Sequence, residues 1–246
     1  MGTKARWRGN VLEFYDSATH ERVKRLAPVV FEDDFIRSDP VILALGSAAS
    51  GCRWVKKVVL TGGSPDVAIL VDQAGGVVQC ALDNASEKQD AGLCMDDNRS
   101  FDLTKGLIME FRAKVSVTPT LLAEVIMGLV DDWTDGLIDS ATYQVSFNLD
   151  GSTAIRVQMD DDATDLDEDS GLTAAPGDWH IYRIDATVVS DIKFYVDGAH
   201  IATTNTFNFA ATGANAILQP YFGLYKASGA GVGTLLVDKV NIWQNR

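Results

Sequence analysis

Cysteine is scarce in this chain: Cys52, Cys80 and Cys94 are the three among 246 residues. Three widely spaced cysteines make neither a zinc cluster nor a dense disulfide framework, so free, mostly buried thiols made in a reducing cytosol are expected. Histidine is as rare, and His20, His180 and His200 stand in no HExxH, GxSxG or Cys/His context. No glycine loop of the phosphate-binding kind occurs; Gly62-Gly63 and Gly75-Gly76 read as turns. No apolar run approaches the roughly 20 residues of a membrane span, which points to a soluble chain with no membrane partner. MGTKARWRGN has no apolar segment behind its charges, so no signal peptide is expected, and Arg6 stands where N-myristoylation needs Ser or Thr.

Acidic charge is abundant: 34 Asp and Glu, of which only seven are Glu, against 21 Lys and Arg, for a net charge of −13. Such a surface repels phosphates, which argues against a nucleic-acid partner. The charge is unevenly placed. Residues 1–26 hold six basic side chains (Lys4, Arg6, Arg8, Arg22, Lys24, Arg25) and three acidic ones (Glu13, Asp16, Glu21), leaving 15 basic against 31 acidic beyond them. We divide the chain into a basic arm, 1–27, and one domain, 28–246, a length ordinary for an all-β sandwich. Within the arm, VLEFYDSATHERVKRL reads as two short extended pieces around a Ser-Ala-Thr turn, too small to be stable unless docked. An arm of opposite charge can lie on its own domain or on an identical neighbour.

From Pro28 on, short β-type runs alternate with Gly, Asp, Asn and Ser clusters. The expected strands are 29–35, 55–62, 67–72, 76–82, 106–115, 143–150, 154–159, 179–187, 192–203, 218–226 and 235–243. TLLAEVIMGLVDD also fits helical spacing, but its Val and Ile and its neighbours favour a strand. Asp150-Gly151 and Asp197-Gly198 predict hairpins with type I′ turns. In the second, Ile192, Phe194 and Val196 face a core while Lys193, Tyr195 and Asp197 face the wetter side. Trp179, Trp243, Tyr182 and Phe194 are expected in core or rim packing, and His180 in a strand as a packed, hydrogen-bonded residue.

The succession LIMEFRAKV, DWHIYRIDA, DIKFYVDGAHIAT, LQPYFGLYK and LLVDKVNIW resembles the second half of a concanavalin A-like lectin/glucanase jelly roll, over about residues 75–246. The resemblance implies an all-β fold of two curved antiparallel sheets, with a concave face that holds sugars in lectins and glucanases; it does not give function. Laminarinase-like members carry two catalytic Glu in an ExDxxE strand. Here Glu13, Glu21, Glu32, Glu87, Glu110, Glu124 and Glu168 are never closer than eight residues, so no glycosidase and no catalytic residue is expected. Glu110 reads as structural, beside a neighbouring base.

The stretch Asp160–Asp162, Asp165, Asp167–Asp169 (DDDATDLDEDSG) reads as a solvated loop that fails the EF-hand pattern; calcium-binding laminin-G-like and pentraxin-like relatives keep Ca²⁺ as its other reading. RWRGNVLEFYDSATHERV followed by APVVFEDDF is similar to the start of tailed-phage virion structural proteins, where a short basic hairpin precedes a jelly roll. This implies a capsid decoration protein, made in the host cytoplasm and placed on the virion surface, with the major capsid protein and copies of itself as partners. Lys4, Arg6, Trp7 and Arg8 are the partner-binding candidates of the arm. The competing function is a carbohydrate-binding module, of a tail or fibre for instance, using Trp133 and Tyr195 as platforms for surface glycans.

Overall fold

The computed structural model describes residues 29–35, 54–70, 75–120, 122–133, 141–174 and 176–245, with the backbone of strands at 3–8, 11–16 and 43–45. In chain order the strands begin β1 (Thr3–Arg8), β2 (Val11–Asp16), β3 (Val29–Asp33), β4 (Leu43–Leu45), β5 (Trp54–Leu60), β6 (Asp66–Ile69), β7 (Val78–Leu82), β8 (Gln89–Cys94) and β9 (Phe101–Asp102). They continue with β10 (Leu107–Val117), β11 (Glu124–Val130), β12 (Tyr143–Asp150), β13 (Ala154–Asp161), β14 (Asp165–Thr173), β15 (His180–Ala186), β16 (Lys193–Val196), β17 (Ala199–Ile201), β18 (Ile217–Lys226) and β19 (Gly233–Gln244). No helix among the described residues is long and apolar enough to cross a membrane.

The domain is a two-sheet sandwich. One sheet has eight strands in the order β17-β16-β15-β10-β19-β7-β6, with β3 also on β19; the other has nine, β14-β13-β12-β11-β18-β8-β5-β4, with β9 on β18. Every pairing is antiparallel except β4 with β5. β18 and β19 are both interior: β19 joins β10 to β7 and β3, and β18 joins β11 to β8.

Period-two alternation decides which face each strand buries. In β10, Met109, Phe111, Ala113 and Val115 point to the core while Glu110, Arg112 and Lys114 point out. Phe111 stacks on Tyr182 at 5.3 Å, Phe147 meets Phe111, Tyr182 and Phe194 edge-on, and Phe222 closes on Phe111 and Trp54. Such pairs add about 0.5–1.5 kcal/mol each beyond the area they bury. Tyr182 and Phe194 are therefore core residues, whereas Trp179 stacks beneath outward cations and Trp243 is half-buried.

Asp197 (φ 50°) and Gly198 (φ 81°) both take the left-handed conformation that the second Asp-Gly turn demands. At the first only Gly151 does, and β12 and β13 are separated by residues 151–153, a longer connection than a two-residue turn. The arm holds a hairpin other than the expected one, TKARWR paired with VLEFYD, Trp7 opposite Leu12, while the expected Ser-Ala-Thr turn at 17–19 falls outside the described residues. Residues 17–28, and Cys52, lie outside the described residues; Cys80 and Cys94 are free and buried. Burial pushes the Cys94 thiol up to about 12 and Cys80 higher, so neither is a ready nucleophile.

One end of the sandwich is held by a buried cation. Lys226, fully inaccessible, donates to the carbonyls of Asp83 (2.5 Å), Ala85 (2.6 Å) and Gly231 (2.8 Å). Burial lowers its pKa, and Asp83 and Glu87 offset part of that.

Candidate functional site

The outer face of the nine-stranded sheet is polar yet closed along its middle strands, β11, β12 and β18, and open at its β14 edge. Cross-strand registers build rows on it: Gln158, Ser146, Gly128, Tyr221 in one, and Arg156, Asn148, Ile126, Gly223, Gly92, Lys57 in the next. Gln144, Ser146 and Gln219 have no accessible surface, and Asp90, Asn148, Gln158 and Tyr221 keep 9% or less. The Tyr221 ring lies across two glycines: a Cβ on Gly92 would come within 2.8 Å of its Oη, and one on Gly223 would meet the ring as well. Cys94, Ile126, Val130, Ala141 and Tyr221 form a small apolar cluster here, separate from the core, with Trp133 against it. Asn148 Nδ2 donates to Gln158 Oε1 at 3.1 Å, while Ser146 Oγ and Asn148 Oδ1 have no hydrogen-bond partner among the described residues. Period-two polarity in YQVSFNLD reads as a wet face; nothing in the pattern says that Gln144, Ser146 and Asn148 are covered.

Trp133 closes one corner of this face. Gln219 Oε1 accepts from the amides of Met95 and Asp97, and its Nε2 donates to Asp97 Oδ1 and Asp131 O. Asp97 Oδ1 in turn accepts from the Trp133 amide at 2.6 Å. Lys57 Nζ stands 5.1 Å above the Trp133 ring and is held 2.6 Å from Asp96. Burial works against the Lys57 charge, but Asp96 outweighs it and raises its pKa. One face of the expected platform is thus taken by a cation.

Tyr195 lies on the other sheet. Phe194 and Val196 are in the core, so Tyr195 points out from the eight-stranded sheet, and Trp133 and Tyr195 stand on opposite sides of the sandwich. They form no joint platform. The Arg183 guanidinium covers the Tyr195 ring at 4.0 Å, with His200 beside it at 5.2 Å. A row runs His200, Tyr195, Arg183, Glu110, Asn241, Glu32 across this sheet. Burial raises the pKa of Glu110, opposed by the charges of Arg183 and Lys239. Trp179, too, lies under cations, Arg112 at 4.4 Å and Lys114 at 5.1 Å, and Arg112 pairs with Asp238.

His180 packs as its strand position suggests: Nδ1 is 2.7 Å from Asp197 Oδ2, while Asp197 Oδ1 accepts from the Ile181 amide. Among the described glutamates no two stand on directly opposed positions of neighbouring strands. Glu32 and Glu110 are on the eight-stranded sheet, Glu124 opens β11, and Glu168 accepts from the amides of Thr204 and Asn205 at 2.9 and 2.8 Å. Burial would raise the pKa of Glu168, but those two amides outweigh it and hold it below the usual range.

The acidic stretch is not a loop. Asp160 and Asp161 end β13, Asp165–Asp169 begin β14, and residues 162–164 connect them. Asp161 Oδ1 accepts from Ala163 and Thr164, its Oδ2 from Ala210. Burial raises the pKa of Asp160, and Asp165, Asp161 and Asp162 add to it. No group of three or more metal-ligating side chains is assembled among the described residues. Of the arm candidates Lys4, Arg6, Trp7 and Arg8, only the backbone is described: all four lie in β1, whose sheet contains only β2.

No protein-family model matches the sequence, and no curated protein matches it. Solved structures do. A protein of unknown function from Shewanella oneidensis MR-1 has a TM-score of 0.59 at 11% identity, covering 89% of this chain and 87% of that one. The laminarinase from Rhodothermus marinus has 0.56 at 14% identity, covering 89% and 99%. A β-1,3-glucanase from Mycobacterium marinum has 0.54 at 16% identity, covering 87% and 97%. The chain has the concanavalin A-like jelly-roll fold. At these identities the likeness of the jelly roll to glucanases is one of fold alone.

Proposed function

We propose that this jelly roll is a non-enzymatic structural protein of a tailed-phage virion, a decoration protein attached to the head surface through its N-terminal arm. The observation that carries the reading is the division of the molecule. A basic hairpin forms a sheet of its own, ahead of a sandwich in whose part of the sequence acidic residues outnumber basic ones by 31 to 15. Opposite charges on arm and body favour adhesion to acidic neighbouring surfaces, and weak contacts repeated over an assembled shell sum to firm attachment.

Two further observations support it over the sugar-binding alternative and over catalysis. The Trp133 and Tyr195 rings each carry a cation on one face, where a stacked sugar would need bare aromatic surface. Among the described glutamates, Glu32 and Glu110 share a face but have β19 between them, and Glu168 is taken up by the Thr204 and Asn205 amides, whereas a retaining glycosidase needs two carboxyl groups about 5–5.5 Å apart. The test is co-sedimentation with undecorated heads. The full chain saturates at a fixed copy number, and deletion of residues 1–26 abolishes binding while the melting temperature of the sandwich stays put. Unchanged sedimentation of the truncated chain refutes the role of the arm, and binding to immobilised glycans without binding to heads replaces the reading with a sugar-binding one.

A further inference from the structure

Sheet edges are templates for another strand, and folded proteins blunt them by keeping them short or charged. Both devices occur here. Among the described sandwich strands with an open edge, β3, β4, β6, β9 and β17 have five residues or fewer, while β14 has nine. β14 pairs with β13 on one side and with no described strand on the other. Its segment 165–169 runs in unbroken register from Asp165 opposite Asp160 to Asp169 opposite Arg156, and the register then shifts at Ser170-Gly171.

Within that segment Leu166 packs on the core and Glu168 is buried against Thr204 and Asn205, while Asp165, Asp167 and Asp169 are exposed on the other face. Asp167 is held by both nitrogens of Arg156; Asp165 and Asp169 have no ion pair among the described residues. Three carboxylates at every second residue forbid a second β14 from pairing here, since like charges would face each other across the strands. They admit a strand with the opposite charge at the same period. The chain has one: Lys4, Arg6 and Arg8 recur at every second residue of β1.

We propose that β1 of one copy adds antiparallel to the open edge of β14 of a second copy, with Lys4, Arg6 and Arg8 opposite Asp169, Asp167 and Asp165. Directly opposed residues of antiparallel strands lie about 4.5–5.5 Å apart, within reach of these side chains. Main-chain hydrogen bonds supply affinity and the charge ladder supplies register, as in other strand-addition complexes. The inference rests on the arm reading above only in taking the hairpin as the adhesive element; it names the acidic surface the arm grips and concerns copies of this chain alone, with no head present.

The test is the mass of the full chain in solution by light scattering. At low ionic strength a multiple of 26.6 kDa is expected, falling to one copy at high salt. Asp165→Lys/Asp169→Lys leaves the Arg156–Asp167 pair in place and yields monomers, as does Lys4→Asp/Arg8→Asp, which lies outside the sandwich and cannot unfold it. Combining the four substitutions in one chain restores the oligomer. A monomeric wild-type chain at low salt, or a four-fold variant that stays monomeric beside an oligomeric wild type, overturns the proposal. Neither result touches co-sedimentation with heads, so the two readings fail separately.

Discussion

The two outer faces of the sandwich use their polar residues to opposite ends. On the eight-stranded sheet many are long and charged, and neutralise one another at the surface, as Arg112 does with Asp238 beside Trp179. On the middle strands of the nine-stranded sheet they are mostly uncharged, set among glycines, and largely out of reach of water. A polar side chain in the open costs little and contributes little. The same group under cover must find a partner or leave a donor or acceptor unmet, at about 1–3 kcal/mol each.

That contrast can be broken at three points. Gly128→Ala has the largest expected effect, because its Cβ would come within 2.7 Å of Ser146 Cα and closer still to Val145 O, main-chain atoms that cannot move aside. A loss of about 3 kcal/mol or more is expected, read as a collapse of the urea midpoint with its slope unchanged. Gln219→Leu keeps the bulk but leaves the amides of Met95 and Asp97 and the carbonyl of Asp131 without their partner. It should cost about 2–3 kcal/mol and loosen the Trp133 corner, visible as a red-shifted tryptophan emission. Arg112→Ala, on the open face, should cost less than about 1 kcal/mol, and less again in high salt. A large loss there, or a small one at Gly128, would erase the distinction between the faces.

The same contrast explains what the sequence could and could not disclose. Strands with one dry and one wet face announced themselves: β12 spans the expected 143–150, and β10, β15 and β18 fall within two residues of expectation. β8 did not, because QDAGLC is buried on both faces, Ala91 and Leu93 inward and Asp90, Gly92 and Cys94 outward, so it shows no alternation of polarity. β14 was hidden by its charge: DLDEDSGLT has a poor strand composition, and only its place at an edge makes that composition suitable. The covered polar face was illegible for a simpler reason. Gln144, Ser146 and Asn148 alternate with Val145, Phe147 and Leu149 as any half-exposed strand would, and their burial leaves no mark on local order.

The interior places of β18 and β19 have a consequence for synthesis. β10 ends 116 residues before β19 begins and β11 ends 87 residues before β18 begins, so neither sheet has its middle until residue 217 and beyond have emerged. A ribosome therefore delivers each layer first as two unjoined half-sheets, with strand edges bare and aromatic faces uncovered. Assembly waits until residues 217–244 have emerged, when one pair of strands zips both layers at once.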